Sequence, residues 1–295
     1  MSVLTIAIVN YNSTEFLGRC LDSIFEQTGL TSFRVVVVDN ASADRNLSEI
    51  EGRYPDVTFI LNEENHGFAI ACNQAIQHQP ADNYLLLNPD CLVGKHAIDN
   101  CIKFLDHHTE IGIVGCRVCN PDGSLQLACR RQIPRPATAF YRLVGLSRLF
   151  PNNPRFAAYN VSYLDDKKSH EVEAVSGSFL MFRHQVYRDT GGLDEEFFLY
   201  GEDLDFCYRT TLKGWKVFYY AGSEVIHFKN VSSRTDTKRS TFHFYRSMGI
   251  FYRKHFSEDA SSLEKILVPV GIRLLYAAKR IRQVIFSKSE IGSSW

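Results

Sequence analysis

No stretch of this chain runs uncharged and apolar for the roughly 18–20 residues that a membrane-spanning helix needs. No basic segment precedes the first apolar run at Val3, so no secretory leader is expected, and the chain is expected to stay in the cytoplasm. There is no net charge, with 33 Lys+Arg against 33 Asp+Glu. That argues against a surface built throughout for nucleic acid. No GxGxxG follows the first apolar run, where Asn10-Tyr11-Asn12-Ser13 stands instead, and this removes support for a dinucleotide-dependent oxidoreductase. Cysteine is sparse, at eight residues in 295, and the lone CxxC of Cys116 and Cys119 has no second pair with which to complete a four-ligand zinc site. Both lie in an apolar strand-like run, and the cysteines read as reduced, buried thiols.

What is present is unevenly distributed. From residue 225 onward the chain holds 13 Lys/Arg and 5 Asp/Glu, so the zero joins an acidic body to a basic tail. Such an asymmetry points to a tail that meets an anionic surface. A length of 295 residues allows one large domain or two small ones.

The first half alternates apolar strand-like runs with helical spacing. Residues 3–9, 35–38, 57–61, 84–87 and about 111–118 read as strands, with a short polar helix after the second. Helices are expected from Asn12 or Ser13 to Gly29, with Glu15 completing a capping box, and over 67–79 and about 95–108. This alternation predicts βαβ units and a mostly parallel sheet, whose ligands bind beyond the carboxyl ends of the strands. Polar residues stand at those ends: Asn10-Tyr11-Asn12, Asp39-Asn40, Asn65-His66-Gly67 and Asn88-Pro89-Asp90. A carboxylate such as Asp90 at that edge suits Mg²⁺ or Mn²⁺, although a turn-forming Asp looks the same.

The second half is less regular. Residues 123–164 carry Arg130, Arg131, Arg135, Arg142, Arg148 and Arg155 with no acid, interleaved with Phe140, Leu143, Val144, Leu146, Leu149 and Phe150. Either a surface helical hairpin or a contact for an anionic or lipid-bearing substrate fits this pattern. Residues 194–205 hold Asp194, Glu195, Glu196, Glu202, Asp203 and Asp205 with no base, and a helix is expected to start near Gly201. Between apolar flanks these acids are expected to be desolvated and mutually repelling, which raises a carboxylate's pKa. His227, in an apolar segment, is either a hydrogen-bonded core residue or a ligand.

Taken in order, Ile8-Val9-Asn10-Tyr11-Asn12, Val38-Asp39-Asn40-Ala41-Ser42, Asn65-His66-Gly67-Phe68 with Asn73, Asn88-Pro89-Asp90, Gly177-Ser178-Phe179, Gly201-Glu202-Asp203-Leu204-Asp205 and Ile226-His227 form a pattern. It resembles the family 2 glycosyltransferases of GT-A fold, and within them the rhamnosyltransferase-like enzymes of O-antigen and cell-wall polysaccharide synthesis. The resemblance covers about residues 3–255. It implies an α/β GT-A domain over 1–255, with 123–175 as an acceptor region, and a helical tail over 256–295.

The resemblance also implies roles. Asn10, Tyr11, Asn12 and Asp39 would hold the nucleotide's base and ribose. Asn65, Gly67, Phe68 and Asn73 would close over it, and Asn88, Gly177 and Ser178 would complete the nucleotide-sugar site. Asn88 stands where the family's Asp-x-Asp motif has its first Asp, a departure shared with the rhamnosyltransferase-like branch, and it leaves Asp90 as the main carboxylate. Asp90 and His227 would hold Mg²⁺ or Mn²⁺. Glu202-Asp203 would supply the catalytic base, by position Asp203, for an inverting displacement. The donor implied is dTDP-rhamnose, with a UDP-sugar as the alternative, and the acceptor is a polyprenyl-linked saccharide of lipopolysaccharide-type synthesis. A reading of another class is a non-catalytic nucleotide-sugar-binding protein, against which the presence of both Asp90 and Asp203 argues.

Residues 262–288 read as a helix with Ile266, Leu267, Val270, Leu274, Leu275, Ala278, Ile281 and Ile285 apolar and Lys265, Arg273, Lys279, Arg280, Arg282 and Lys288 basic. Arg273 interrupts the apolar run and argues against spanning. An interfacial helix on the anionic inner face of the plasma membrane is expected, the alternative being a helix docked on the body.

Overall fold

The computed structural model describes residues 3–29, 31–44, 47–136, 138, 141, 145–229 and 237–291. Its centre is a sheet whose strands follow the expected apolar runs. These are β1 (Leu4–Asn10), β2 (Phe33–Asp39), β3 (Val57–Leu61) and β4 (Asn83–Leu87), followed by the short β5 (Cys91–Val93) and the longer β6 (Ile111–Cys119). Every residue of β1 and β4 is buried, so both faces of the sheet are covered and no polar alternation is needed. Each fully buried aliphatic side chain in these strands stabilises the fold by about 1.5–3 kcal/mol. The covering helices are α1 (Thr14–Gln27), α2 (Leu47–Arg53), α3 (Phe68–His78) and α4 (Ala97–His107).

The second half adds the two-residue strands β7 (Arg130–Arg131) and β9 (Ala174–Val175), with β8 (His170–Val172), β10 (Phe179–Arg183) and the long β11 (Lys216–His227). The main sheet runs β3-β2-β1-β4-β10-β6-β11-β5, with β8 also on β11, while β7 and β9 pair separately. The mostly parallel sheet expected from the sequence is present, with β10 wedged antiparallel between β4 and β6. Because β10 runs backwards, the residues that precede it lie at the carboxyl edge of β1 and β4. The remaining helices are α5 (His184–Thr190), α6 (Glu202–Leu212), α7 (Thr237–His255) and α8 (Ser262–Ile291).

One local expectation is corrected. The capping box does not form at α1: Asn12 is left-handed (φ 52), and the amide of Thr14 donates instead to Asp44 Oδ2 at 2.8 Å, a cap supplied by a distant loop. Of residues 123–164, those described form 3-10 turns, β7, a helical turn at Leu146–Leu149 and helical positions at Pro136, Thr138 and Tyr141. Phe140, Arg142, Leu143 and Val144 lie outside the described residues. Three of the remaining arginines brace neighbouring segments of the chain. Arg130 donates to the carbonyls of Leu164 and Asp165, Arg131 pairs with Asp203, and Arg135 forks onto Glu173.

Among the described residues no helix is long and apolar enough to cross a membrane. Helix α8 rests on α7 through Tyr276, which meets Phe242 and Tyr245, and through a Gln283–Thr241 hydrogen bond. Its Leu263, Ile266, Leu267, Val270, Leu274, Ile281, Val284 and Ile285 are exposed. Residues 263, 267, 270, 274, 281 and 285 keep helical spacing, so they form one apolar stripe.

Candidate functional site

The parallel register aligns Asn10 with Asp39 at the ends of β1 and β2. The Asn10 amide donates to Asp39 Oδ1 at 2.7 Å, and Ser42 adds its hydroxyl (2.6 Å, same oxygen) and its N–H (3.0 Å, Oδ2). Asp39 is thereby held in one orientation, and Asn10, fully buried, acts as its support. Asn12 braces the same corner, its Oδ1 accepting from the Ala43 amide at 2.7 Å, and Tyr11 is half-buried beside it.

Asn65 Oδ1 accepts from the Gly67 N–H at 2.9 Å, and Asn40 donates to the Gly67 carbonyl. Gly67 has φ 90, and a Cβ there would lie 2.6 Å from the Phe198 carbonyl oxygen, so only glycine fits this start of α3. Asn73 stands apart from this group. Its amide donates to the Leu193 carbonyl and accepts from the Leu193 N–H, tying α3 to the loop before α6.

Asp90 and His227 meet at the edge of β5 and β11, with Asp90 Oδ1 3.1 Å from His227 Nε2. Asn88 Nδ2 lies 3.2 Å from the same nitrogen. Asp90, Cys91 and His227 offer ligand atoms within 4.8 Å of one another, and all three residues are buried. Burial, with the Asp90 charge behind it, pushes the Cys91 thiol well above its ordinary value, and the thiol donates to the Ser178 carbonyl. That leaves one carboxylate oxygen and one imidazole nitrogen facing each other, a donor set that suits a hard or borderline divalent cation. Two lone-pair atoms at 3.1 Å need a cation or a proton between them, so the residues fit Mg²⁺ or Mn²⁺.

The acidic segment resolves into separate pairs. Burial alone would raise Asp194 and Glu196, but Lys254, joined by Arg253 at Glu196, holds both below the ordinary carboxylate range. Asp205, fully buried, accepts from Arg209 on its own helix and from His255 of α7. Glu202 does show the expected rise: burial and the neighbouring Asp203 push it up to about 8. Asp203 has defined partners: Oδ2 accepts from Arg131 at 2.6 Å and from the Gly177 N–H at 3.0 Å, while Oδ1 accepts from the Leu204 N–H at 2.7 Å. Gly177 sits between Phe68 and Asp203, where a Cβ would stand 3.7 and 3.6 Å from their nearest atoms.

Gly177 and Ser178 join the two ends of the site. Gly177 touches Asp203, and the Ser178 carbonyl accepts from Asn88 N at 3.2 Å and from the Cys91 thiol. Two residues escaped sequence reasoning. Arg131 is 72 positions from Asp203 and looked like one of several surface arginines, and Gln126, buried at 4% exposure, bonds His227 from 101 positions away. Neither stands in a local motif, so no sequence signal marked them.

The profile described as Glycosyl transferase family 2 matches residues 5–191, and that of Glycosyl transferase family group 2 matches residues 141–263. The chain is 29% identical over 260 residues to the N-acetylglucosaminyl-diphospho-decaprenol L-rhamnosyltransferase of Mycobacterium tuberculosis, covering 84% of this chain and 83% of that one. It is 22% identical to the rhamnosyltransferase WbbL of Escherichia coli K12, covering 87% and 97%. Among solved structures it resembles the mannosyltransferase PcManGT of Pyrobaculum calidifontis, in complex with GDP-Man and Mn²⁺. The TM-score is 0.58 at 20% identity, over 85% of this chain and 64% of that one, a likeness that speaks for the fold.

Proposed function

Because this chain belongs to glycosyl transferase family 2, in its rhamnosyltransferase-like branch, we propose that it moves a sugar from a nucleotide diphosphate to a lipid-linked saccharide with inversion. The observation that carries the reading is the single sheet edge holding Asp90–His227 at one end and Asp203 at the other, bridged by Gly177-Ser178. Rhamnose from dTDP-rhamnose is the first donor, supported by relatives named as rhamnosyltransferases, and a UDP-sugar is the alternative. The name of the mycobacterial relative, which specifies a diphospho-decaprenol sugar, supports a polyprenyl-linked acceptor of surface polysaccharide synthesis.

The chemistry assigns work to each part. Asp39, fixed by Asn10 and Ser42, accepts hydrogen bonds from the base or ribose of the nucleotide. Asp203 takes the proton of the acceptor hydroxyl as its oxygen forms the new bond to the anomeric carbon, and the bond to the nucleotide diphosphate breaks on the opposite face. Glu202, protonated at neutral pH, adds no second charge beside Asp203. Asp90 and His227 would hold a divalent cation, which would supply charge stabilisation for the departing diphosphate.

The test is a panel of dTDP-, UDP- and GDP-sugars, with Mn²⁺, Mg²⁺ or EDTA, read by binding and by slow donor hydrolysis. One donor is expected to bind and hydrolyse with metal only. Binding without hydrolysis or transfer would support the non-catalytic reading, and no binding of any nucleotide sugar would overturn the proposal.

We assign the body to residues 1–255 and the tail to 256–295, and place the enzyme at the inner face of the plasma membrane. Support comes from the exposed apolar stripe of α8 beside Lys265, Arg273, Lys279, Arg280 and Arg282, the arrangement of a helix lying in a headgroup layer. Deleting residues 262–295 is expected to release the protein from vesicles rich in anionic lipid and to leave nucleotide binding unchanged. Equal co-sedimentation of the truncated and full chains would count against the membrane role.

A further inference from the structure

Gln126 caps the 3-10 turn (Leu127–Cys129) that follows β6, four residues before β7, and is buried. Its side chain is committed on both sides. The amide nitrogen donates to the His227 carbonyl at 2.7 Å and to the Cys119 carbonyl at 3.4 Å. The amide oxygen lies 2.9 Å from His227 Nδ1. Turning the amide over would aim its oxygen at two carbonyl oxygens and lose both bonds, so the observed orientation is the only satisfied one. An oxygen that can only accept requires a proton on Nδ1. The neutral imidazole then carries its lone pair on Nε2, the atom 3.1 Å from Asp90 Oδ1.

We propose that Gln126 is the positioning residue of the cation site, fixing His227 in the tautomer and ring orientation that turn Nε2 toward Asp90. The inference rests on the reading that Asp90 and His227 hold the cation. Its physical basis is general: a metal-bound imidazole keeps its shape through the hydrogen bond of its other nitrogen, and loss of that partner weakens metal affinity about 10- to 100-fold. Gln126 also anchors the imidazole to its own backbone carbonyl, so it sets both ends of the His227 side chain. The Gln126 backbone contributes as well, with its N–H on the Val118 carbonyl and its carbonyl receiving Cys129 N–H. The main chain from which the side chain extends is therefore held in place.

The experiment measures Mn²⁺ affinity by electron paramagnetic resonance in the presence of UDP or dTDP. It compares the full-length wild type, Q126L, Q126E, H227A and the Q126L/H227A double variant, each checked for a cooperative melt. Q126L is expected to weaken Mn²⁺ about 10- to 100-fold. Q126E keeps an acceptor oxygen opposite Nδ1 but gives up the two carbonyl bonds, and is expected to recover part of that loss. The double variant should bind no more weakly than H227A, because Gln126 acts only through that ring. Wild-type affinity in Q126L, or a double variant well below H227A, overturns the role of Gln126 while leaving the cation site standing if H227A itself is weak. Unchanged affinity in H227A overturns the cation site and the inference together. If Q126L fails to melt cooperatively, Q126E decides: affinity as low as that of H227A counts against the proposal.

Discussion

Asp203→Asn is expected to lower sugar transfer by about 100- to 10,000-fold, the usual worth of a positioned general base, with nucleotide affinity nearly unchanged. The geometry makes the carboxylate hard to replace. Oδ2 already accepts from Arg131 and Gly177, and Oδ1 accepts from Leu204, so all three neighbours are donors. An Asn would have to aim its NH₂ at one of them. The substitution also leaves Arg131, itself 9% exposed, without its counter-charge, and breaking such a buried pair costs about 3–5 kcal/mol of stability. Assays must therefore run well below the melting temperature of the variant. A double variant with Arg131→Met removes the stranded charge and is expected to regain stability without regaining turnover. Near wild-type turnover in Asp203→Asn, or rescue of turnover in the double variant, would falsify the assignment of Asp203 as the base.

Asp90→Asn should cost roughly 100-fold or more in transfer, because a metal ion contributes several kcal/mol of charge stabilisation and about 1.4 kcal/mol is a factor of ten. Unlike Asp203, Asp90 has no guanidinium partner among the described residues, and its side chain meets His227. Folding stability is accordingly expected to change little, which separates a chemical loss from a structural one. Raising Mn²⁺ to millimolar levels should restore part of the activity if weakened binding is the cause. Titration of Mn²⁺ against turnover checks this, and an unchanged Mn²⁺ dependence would remove Asp90 from the cation site.

These two residues differ in how visible they were. Asp90 sits in the turn that follows an unbroken apolar run, so strand, boundary and carboxylate could be read together from one stretch of sequence. The same holds for Asn10 and Asp39, whose strands are buried on both faces and therefore show as continuous aliphatic runs. Short β5 and two-residue β7 and β9 carry too few residues for any periodicity. Helix α7 was missed because its buried positions, His243, Ser247, Ile250, Phe251 and Tyr252, mix polar with apolar side chains. The acidic segment misled for a related reason. Its like charges are adjacent in sequence, but their countercharges come from Arg131, Arg209, Lys254 and His255, three of which lie far along the chain. Proximity that exists only after folding leaves no trace in local composition.

The antiparallel wedge β10 has a bearing on the order in which the molecule can be completed. β4 and β6 are never neighbours; each is bonded to β10, which leaves the ribosome some sixty residues after the end of β6. Until residue 183 has emerged, both strands present open edges of unpaired amides, the kind of surface that recruits other chains. The first half of the chain is thus not a separable module, and a fragment ending before Phe179 cannot close its own sheet. Closure of β11 at His227 completes the sheet, and α7 must follow to bury Ile250 and Phe251, so a split is tolerable only beyond His255.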